Sequence, residues 1–155
     1  MTANNAVIFY PDILEVSMNR KELVEKVKAL GLPMGTYVVF GSGPLAAAGI
    51  RETEDVDLFV SDRLYTHMHE NGWHETVGIN GDHILKHGDY EVSRSWKFGT
   101  YHPHFSDLYA AADIVDGVPF VNLHEVRAWK LQSSRPKDRR DIELIDRYMA
   151  KKGWA

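Results

Sequence analysis

The sequence predicts an α+β fold, a mixed β-sheet with helices packed on it. Three observations carry that reading. Short β-branched and aromatic runs stand at 36–40, 56–60 and 118–121. Stretches of helical apolar period lie between and after them. Paired short runs split by Gly-containing turns fill 73–96, as in hairpins. With 155 residues, the chain is read as one domain, 1–155, long enough to bury a core without staples. Hydrophobic residues at 44% and charged residues at 26% exclude a disordered chain.

Asn19 precedes Glu22 by three, a capping-box start. Leu23, Val24, Val27 and Leu30 then recur at helical spacing and Gly31 stops them, predicting a helix over 20–30. Thr36-Tyr37-Val38-Val39-Phe40 is apolar almost throughout, which predicts a strand covered on both faces. Gly41-Ser42-Gly43 ends it, Pro44 suits a first helical position, and Leu45-Ala46-Ala47-Ala48 continues a short helix to Gly49. Val56 to Val60 is a second strand, and Ser61 or Asp62 caps a helix running to Glu70 before Asn71-Gly72. Strands are predicted at 73–77, 82–86 and 90–96, with turns at 78–81 and 87–89. Ser106 opens a helix through Leu108, Ala111, Ala112 and Val115 that Asp116-Gly117 stops. Val118 to Val121 is a strand and 123–131 a helix; a last helix starts near Pro136 and buries Ile142, Ile145 and Met149. Strand order does not follow from this pattern.

The absence of cysteine excludes disulfides and thiolate metal sites and fits a reducing compartment. No apolar run approaches the roughly 20 residues that cross a bilayer. Met1-Thr2-Ala3-Asn4-Asn5 has no basic region feeding a long apolar stretch, so no secretion signal and a cytoplasmic location are expected. The net charge of -4 argues against a large phosphate footprint, so no extended nucleic-acid contact is expected. Basic clusters at 135–140 and 151–152 leave room for a small anion or a short nucleic-acid end.

The chemically informative stretch is Val38-Val39-Phe40-Gly41-Ser42-Gly43-Pro44-Leu45 followed by Glu54-Asp55-Val56-Asp57-Leu58-Phe59-Val60. Residues two apart in a strand share a face, so Asp55 and Asp57 project together and Val56, Leu58 and Val60 face the other way. Two such carboxylates repel when ionised, and a hard divalent cation such as Mg²⁺, or Mn²⁺, removes that penalty. Gly41-Ser42-Gly43 brings backbone N–H groups to a helix start, which favours phosphate. A phosphate cradle beside a metal-binding carboxylate pair is what phosphoryl or nucleotidyl transfer needs. A lone Gly-Ser is usually a plain turn, and a lone Asp-x-Asp usually a solvated edge; their succession across a strand, a short helix and a second strand is far rarer.

This segment resembles the active-site signature of the DNA polymerase β-like nucleotidyltransferase superfamily. Gly41-Ser42 matches its Gly-Gly or Gly-Ser turn, and Asp55-Val56-Asp57 its metal-binding pair. The spacing, with Arg51 and Thr53 between, looks most like the minimal, AbiEii-type members. Val118 to Leu123, Ala128-Trp129-Lys130, Arg135-Pro136-Lys137-Asp138 and Asp141-Ile142 are similar to their tail. The resemblance implies a nucleotidyltransferase-type mixed sheet with packed helices. It implies transfer of a nucleoside monophosphate from an NTP, ATP among the candidates, to an acceptor, with release of pyrophosphate. It also implies catalytic and metal roles for Asp55 and Asp57, and a third carboxylate on a later strand. Glu91 is the candidate, on one face with Ser93 and Ser95 and with Val92 opposite; the family more often has Asp there. Asp82 and Asp89 compete but fall at expected turns. Gly41, Ser42, Lys130 and Lys137 are the candidate nucleotide-binding residues, with Asp138 as support for Lys137 or a backbone N–H. The acceptor (small molecule, protein side chain or RNA end) is left open.

Two other readings stand beside this one. The chain is alternatively a catalytically degenerate nucleotide-binding module, a regulatory or toxin–antitoxin partner, which a Glu91 turned away from the Asp pair would favour. A metal-dependent hydrolase would leave the Gly-Ser cradle idle. The close histidine pairs His67/His69, His83/His87 and His102/His104 lack a His-Glu-x-x-His pattern, so zinc is not expected. Lys130 also fits a solvated helix face, and Trp96 and Trp129 fit a core better than base-stacking platforms.

Overall fold

The capping box at Asn19 closes as its sequence predicts. In the computed structural model, which describes residues 17–154, the Glu22 N–H donates to Asn19 and the Asn19 N–H to Glu22, opening α1 (Arg20–Lys28). The five residues read for a secretion signal lie outside the described residues. Then follow β1 (Tyr37–Val39), α2 (Gly43–Ala47), β2 (Val56–Val60) and α3 (Asp62–Glu70), the last capped by Ser61. Next come β3 (His74–Val77), β4 (His83–His87), β5 (Tyr90–Ser93) and α4 (Phe105–Ala110). The chain continues through β6 (Asp113–Val115), β7 (Val118–Phe120), α5 (Leu123–Ser133) and α6 (Pro136–Lys152).

The architecture is mixed α+β: six helices and one seven-stranded sheet among the described residues, in the order β3-β4-β5-β2-β1-β7-β6. β1 runs antiparallel to β2 and parallel to β7, while β2 runs parallel to β5. β3-β4, β4-β5 and β6-β7 are antiparallel pairs.

The period-2 rule sorts side chains onto two cores. Val39, Val56, Leu58, Val60 and Val92 pack with α1 and α3 on one face. Val38, Phe40 and Phe59 pack with Leu108, Val126, Trp129, Ile145 and Met149 of α4, α5 and α6 on the other. Val56, Leu58 and Val60 are each at most 1% exposed, and each such burial stabilises by roughly 1.5–3 kcal/mol. With helices on both faces, the buried all-apolar β1 is covered as its sequence implied.

Two segments differ from the sequence reading. The helix predicted through Val115 ends at Ala110, and Asp113–Val115 is an edge strand. Asp116 and Gly117, at φ 51° and 80°, make a two-residue hairpin turn that returns β6 onto β7. The strand predicted to Trp96 ends at Ser93. Ser93 pairs with Ile84, and the ladder stops there, one residue short of the start of β4 at His83. Among the described residues, no helix is long and apolar enough to cross a membrane.

Candidate active site

β1 and β2 bring the two halves of the motif together. The Phe40 N–H donates to the Asp57 carbonyl at 2.8 Å, so the chain leaves β1 directly over Asp57. Gly41 follows at φ +63°, and a Cβ there would strike the Asp57 carboxylate, standing 3.0 Å from its Cβ and Cγ. Only glycine adopts that backbone cheaply with a neighbour so close. Ser42 then leads into α2 without a side-chain cap bond.

Asp57 lies on the α5–α6 side of the sheet, opposite Val56 and Leu58. The parallel ladder sets Glu91 of β5 in register with Asp57, so the two carboxylates are lateral neighbours on one face. Asp55, just ahead of β2, completes the group. All three line a cavity of about 560 Å³ with Gly41, Ser42 and Lys137.

Among the described residues, no hydrogen bond or ion pair reaches the Asp55 or Asp57 carboxylate. Glu91 has Lys86 at 3.4 Å. Desolvation at the cavity floor, then the charges of Glu91 and Asp55, push Asp57 up to about 7, against relief from Lys137 and Lys130. Asp55 is raised in the same way, by desolvation first and by Glu91 next. The donor set is entirely oxygen and electrostatically strained, which fits a hard divalent cation. The three carboxylates share a cavity, yet among the described residues no group of three or more His, Cys, Asp or Glu stands in metal-holding geometry.

The basic residues divide into bound and free. Lys130 is not on a solvated face: it is 1% exposed, with its ammonium 2.9 Å from Asp141 and 3.3 Å from Asp138. Asp138 supports Lys130 and Arg135 rather than Lys137; it accepts from both, from the Ser133 hydroxyl and from the Arg135 N–H. These donors hold its carboxyl low, at about 2, against desolvation that raises it. Lys137 is exposed at the start of α6, lines the cavity and makes no ion pair among the described residues.

Trp129 is core, 2% exposed, and Trp96 meets it edge-on at 5.6 Å. Both border the cavity, and neither buried indole N–H has a hydrogen-bond partner among the described residues. The histidine pairs stand apart from the cavity lining: His69 and His83 lie 4.0 and 3.8 Å from Glu75, and the His102 and His104 rings are 5.9 Å apart. Sequence reasoning named Arg51 and Asp141 only as parts of the motif. In the structure they form a fork-to-carboxylate pair, both contacts at 2.8 Å, behind Ser42. A contact between residues ninety positions apart leaves no periodic trace in one sequence.

Fold and cavity together define a mixed-sheet protein with an acidic cavity floor and a basic rim. The chain matches no protein-family model, no curated protein and no solved structure.

Proposed function

We propose that this protein is a metal-dependent nucleotidyltransferase that moves a nucleoside monophosphate from an NTP to an acceptor. The observation that carries the reading is the convergence of Asp55, Asp57 and Glu91 beside the Gly41–Ser42 turn, with Asp57 held near neutral pKa and given no donor among the described residues. The finer fold assignment, a nucleotidyltransferase-type sheet, belongs to the same proposal; the Gly-Ser turn at the end of β1, against carboxylates on its antiparallel neighbour, supports it.

In this reading the acceptor oxygen bonds the α-phosphorus, the bond to the β-phosphate oxygen breaks, and pyrophosphate leaves. Asp55, Asp57 and Glu91 hold Mg²⁺ or Mn²⁺, whose chemistry is to activate the attacking oxygen and neutralise the leaving group. The ladder aligns the backbone of Asp57 and Glu91, with Asp55 just ahead of it, and closing on an ion would take rotation of the side chains. Glu91 accepts the acceptor's proton. The Gly41–Ser42 turn takes the β- and γ-phosphates, and Lys137 faces them from α6. Lys130, committed to two aspartates, acts on the nucleotide through its field and by fixing α6. The acceptor is a small molecule, a protein side chain or an RNA end, and the setting is cytoplasmic.

A second reading, a nucleotide-binding module without catalysis in a regulatory or toxin–antitoxin role, draws on the carboxylates' failure to stand in metal-holding geometry as they are. Incubation with each labelled NTP, Mg²⁺ and candidate acceptors separates the two. Pyrophosphate and labelled product, lost in Asp57→Asn, support transfer. Nucleotide binding without product supports the module, and neither result would leave both readings without ground.

A further inference from the structure

Arg51 lies in the loop between α2 and β2, behind the Gly41–Ser42 turn. Its guanidinium joins three parts of the chain. Nε and Nη2 donate to the two carboxylate oxygens of Asp141 on α6, each at 2.8 Å. Nη1 donates to the Glu52 carbonyl at 2.8 Å, and Nη2 donates again, to Ser42 Oγ, at 2.9 Å. Four of the five guanidinium N–H groups are therefore engaged. Asp141, its side chain 5% exposed, is held in turn by Lys130 at 2.9 Å. A planar fork fixed on this many sides has no free rotation, and a lysine cannot reproduce it.

The donor count then fixes what Ser42 can do. A hydroxyl has one proton and two lone pairs. Arg51 occupies a lone pair, and among the described residues the Ser42 hydroxyl donates to nothing and makes no cap bond in α2. Its proton is thus turned from Arg51 and left for whatever enters the cavity that Ser42 lines. We propose that Arg51, locked by Asp141, is a positioning residue that orients the Ser42 hydroxyl as a donor to a phosphate oxygen at the Gly41–Ser42 turn. The inference rests on the nucleotidyl-transfer reading.

A residue that only braced the fold would act independently of Ser42, whereas a residue acting through Ser42 loses its effect when the hydroxyl is gone. A double-mutant cycle separates the two. Binding of inorganic tripolyphosphate with Mg²⁺ is measured by calorimetry for wild type, Ser42→Ala, Arg51→Lys and the double variant, with folding followed by urea titration. Arg51→Lys keeps a positive charge opposite Asp141, and Asp141→Asn removes the lock while keeping Arg51 and Ser42. Each single change should weaken binding by about tenfold, the loss of one hydrogen bond to a charged group. The double variant should be no more than about twofold weaker than Ser42→Ala alone. Arg127→Gln, which breaks an exposed α5–α6 ion pair of 2.7 Å outside the cavity lining, should bind as wild type does.

Additive losses, about a hundredfold in the double variant, or wild-type affinity in both Arg51→Lys and Asp141→Asn, would overturn the proposal. So would an equal loss in Arg127→Gln, which would make helix loosening the cause. A wild-type protein that binds neither tripolyphosphate nor ATP would instead remove the transferase reading itself, a result distinct from additivity.

Discussion

Replacing Asp57 by asparagine should stabilise the metal-free protein, by an amount that depends on pH. Asp57 titrates at about 7 against an ordinary 3.8, because burial and the charges of Glu91 and Asp55 disfavour its ionised form. The folded state thus holds the proton more tightly than the unfolded chain. Ionising Asp57 costs stability nowhere below about pH 4, increasingly between 4 and 7, and fully above 7. Three pH units at roughly 1.4 kcal/mol each come to about 4 kcal/mol, and water entering from the cavity side lowers this to about 3. Asparagine keeps the shape and removes the charge. Urea unfolding in EDTA should show Asp57→Asn more stable than wild type by about 3 kcal/mol at pH 8 and by less than about 1 at pH 4.5. Saturating Mg²⁺ and nucleotide should narrow the gap at pH 8, since a ligand at 100 times its Kd stabilises the wild type by roughly 2.7 kcal/mol. An increment that is zero at pH 8, or the same at both pH values, would refute the reasoning, because Asp57 would then carry no ionisation strain for a cation to relieve.

Gly41→Val places a β-branched side chain at φ +63° against Asp57; it should raise the nucleotide KM steeply or abolish transfer, while Ser42→Ala costs about 1–2 kcal/mol of transition-state stabilisation. Steady-state kinetics on folded protein checks both, and a normal Gly41→Val enzyme would reduce the cradle to an ordinary turn. Val56→Asp puts a charge where the side chain is 0% exposed and should lose about 4 kcal/mol or more in urea titration; a similar loss in both Val56→Asp and Asp57→Asn would mean that the strand faces are reversed. Lys130→Ala leaves Asp138 and Asp141 buried without their shared cation and should cost about 3–5 kcal/mol. Lys137→Ala, on the exposed start of α6, should change stability by less than about 0.5 kcal/mol and weaken triphosphate binding; the reverse order in urea titration and calorimetry would exchange the roles of the two lysines.

What could be read from the sequence was what is local. Asn19 and Glu22 announce their capping box, and the alternation from Asp55 to Val60 places carboxylates and apolar residues on opposite faces. The strand from Tyr90 and the side on which Glu91 falls follow from the same alternation, though the strand ends at Ser93 and not at Trp96. The Asp116-Gly117 pair carried a hairpin signal as well as a helix stop, and the apolar spacing of Leu108, Ala111, Ala112 and Val115 favoured the wrong one. The state of Lys130 was out of reach: its helix position reads as solvent-facing until Asp138 and Asp141 come back over it from the next helix. The Arg51–Asp141 fork is more distant still, set by tertiary packing that no window of sequence contains.

Because Asp57 and Glu91 are neighbours in one parallel ladder, their separation belongs to the sheet and not to either flanking loop. The register is the ruler: slipping β5 by one residue would carry Glu91 to the opposite face and set Tyr90 or Val92 beside Asp57. The β4–β5 connection that holds this register is only Gly88-Asp89, closed by the His87–Tyr90 pair. The chain is therefore unevenly tolerant of changes in length. An added residue at 88–89 can leave a foldable sheet with its acidic centre dispersed, while the same insertion in the longer connection over 99–104 leaves Asp57 and Glu91 on their shared rung.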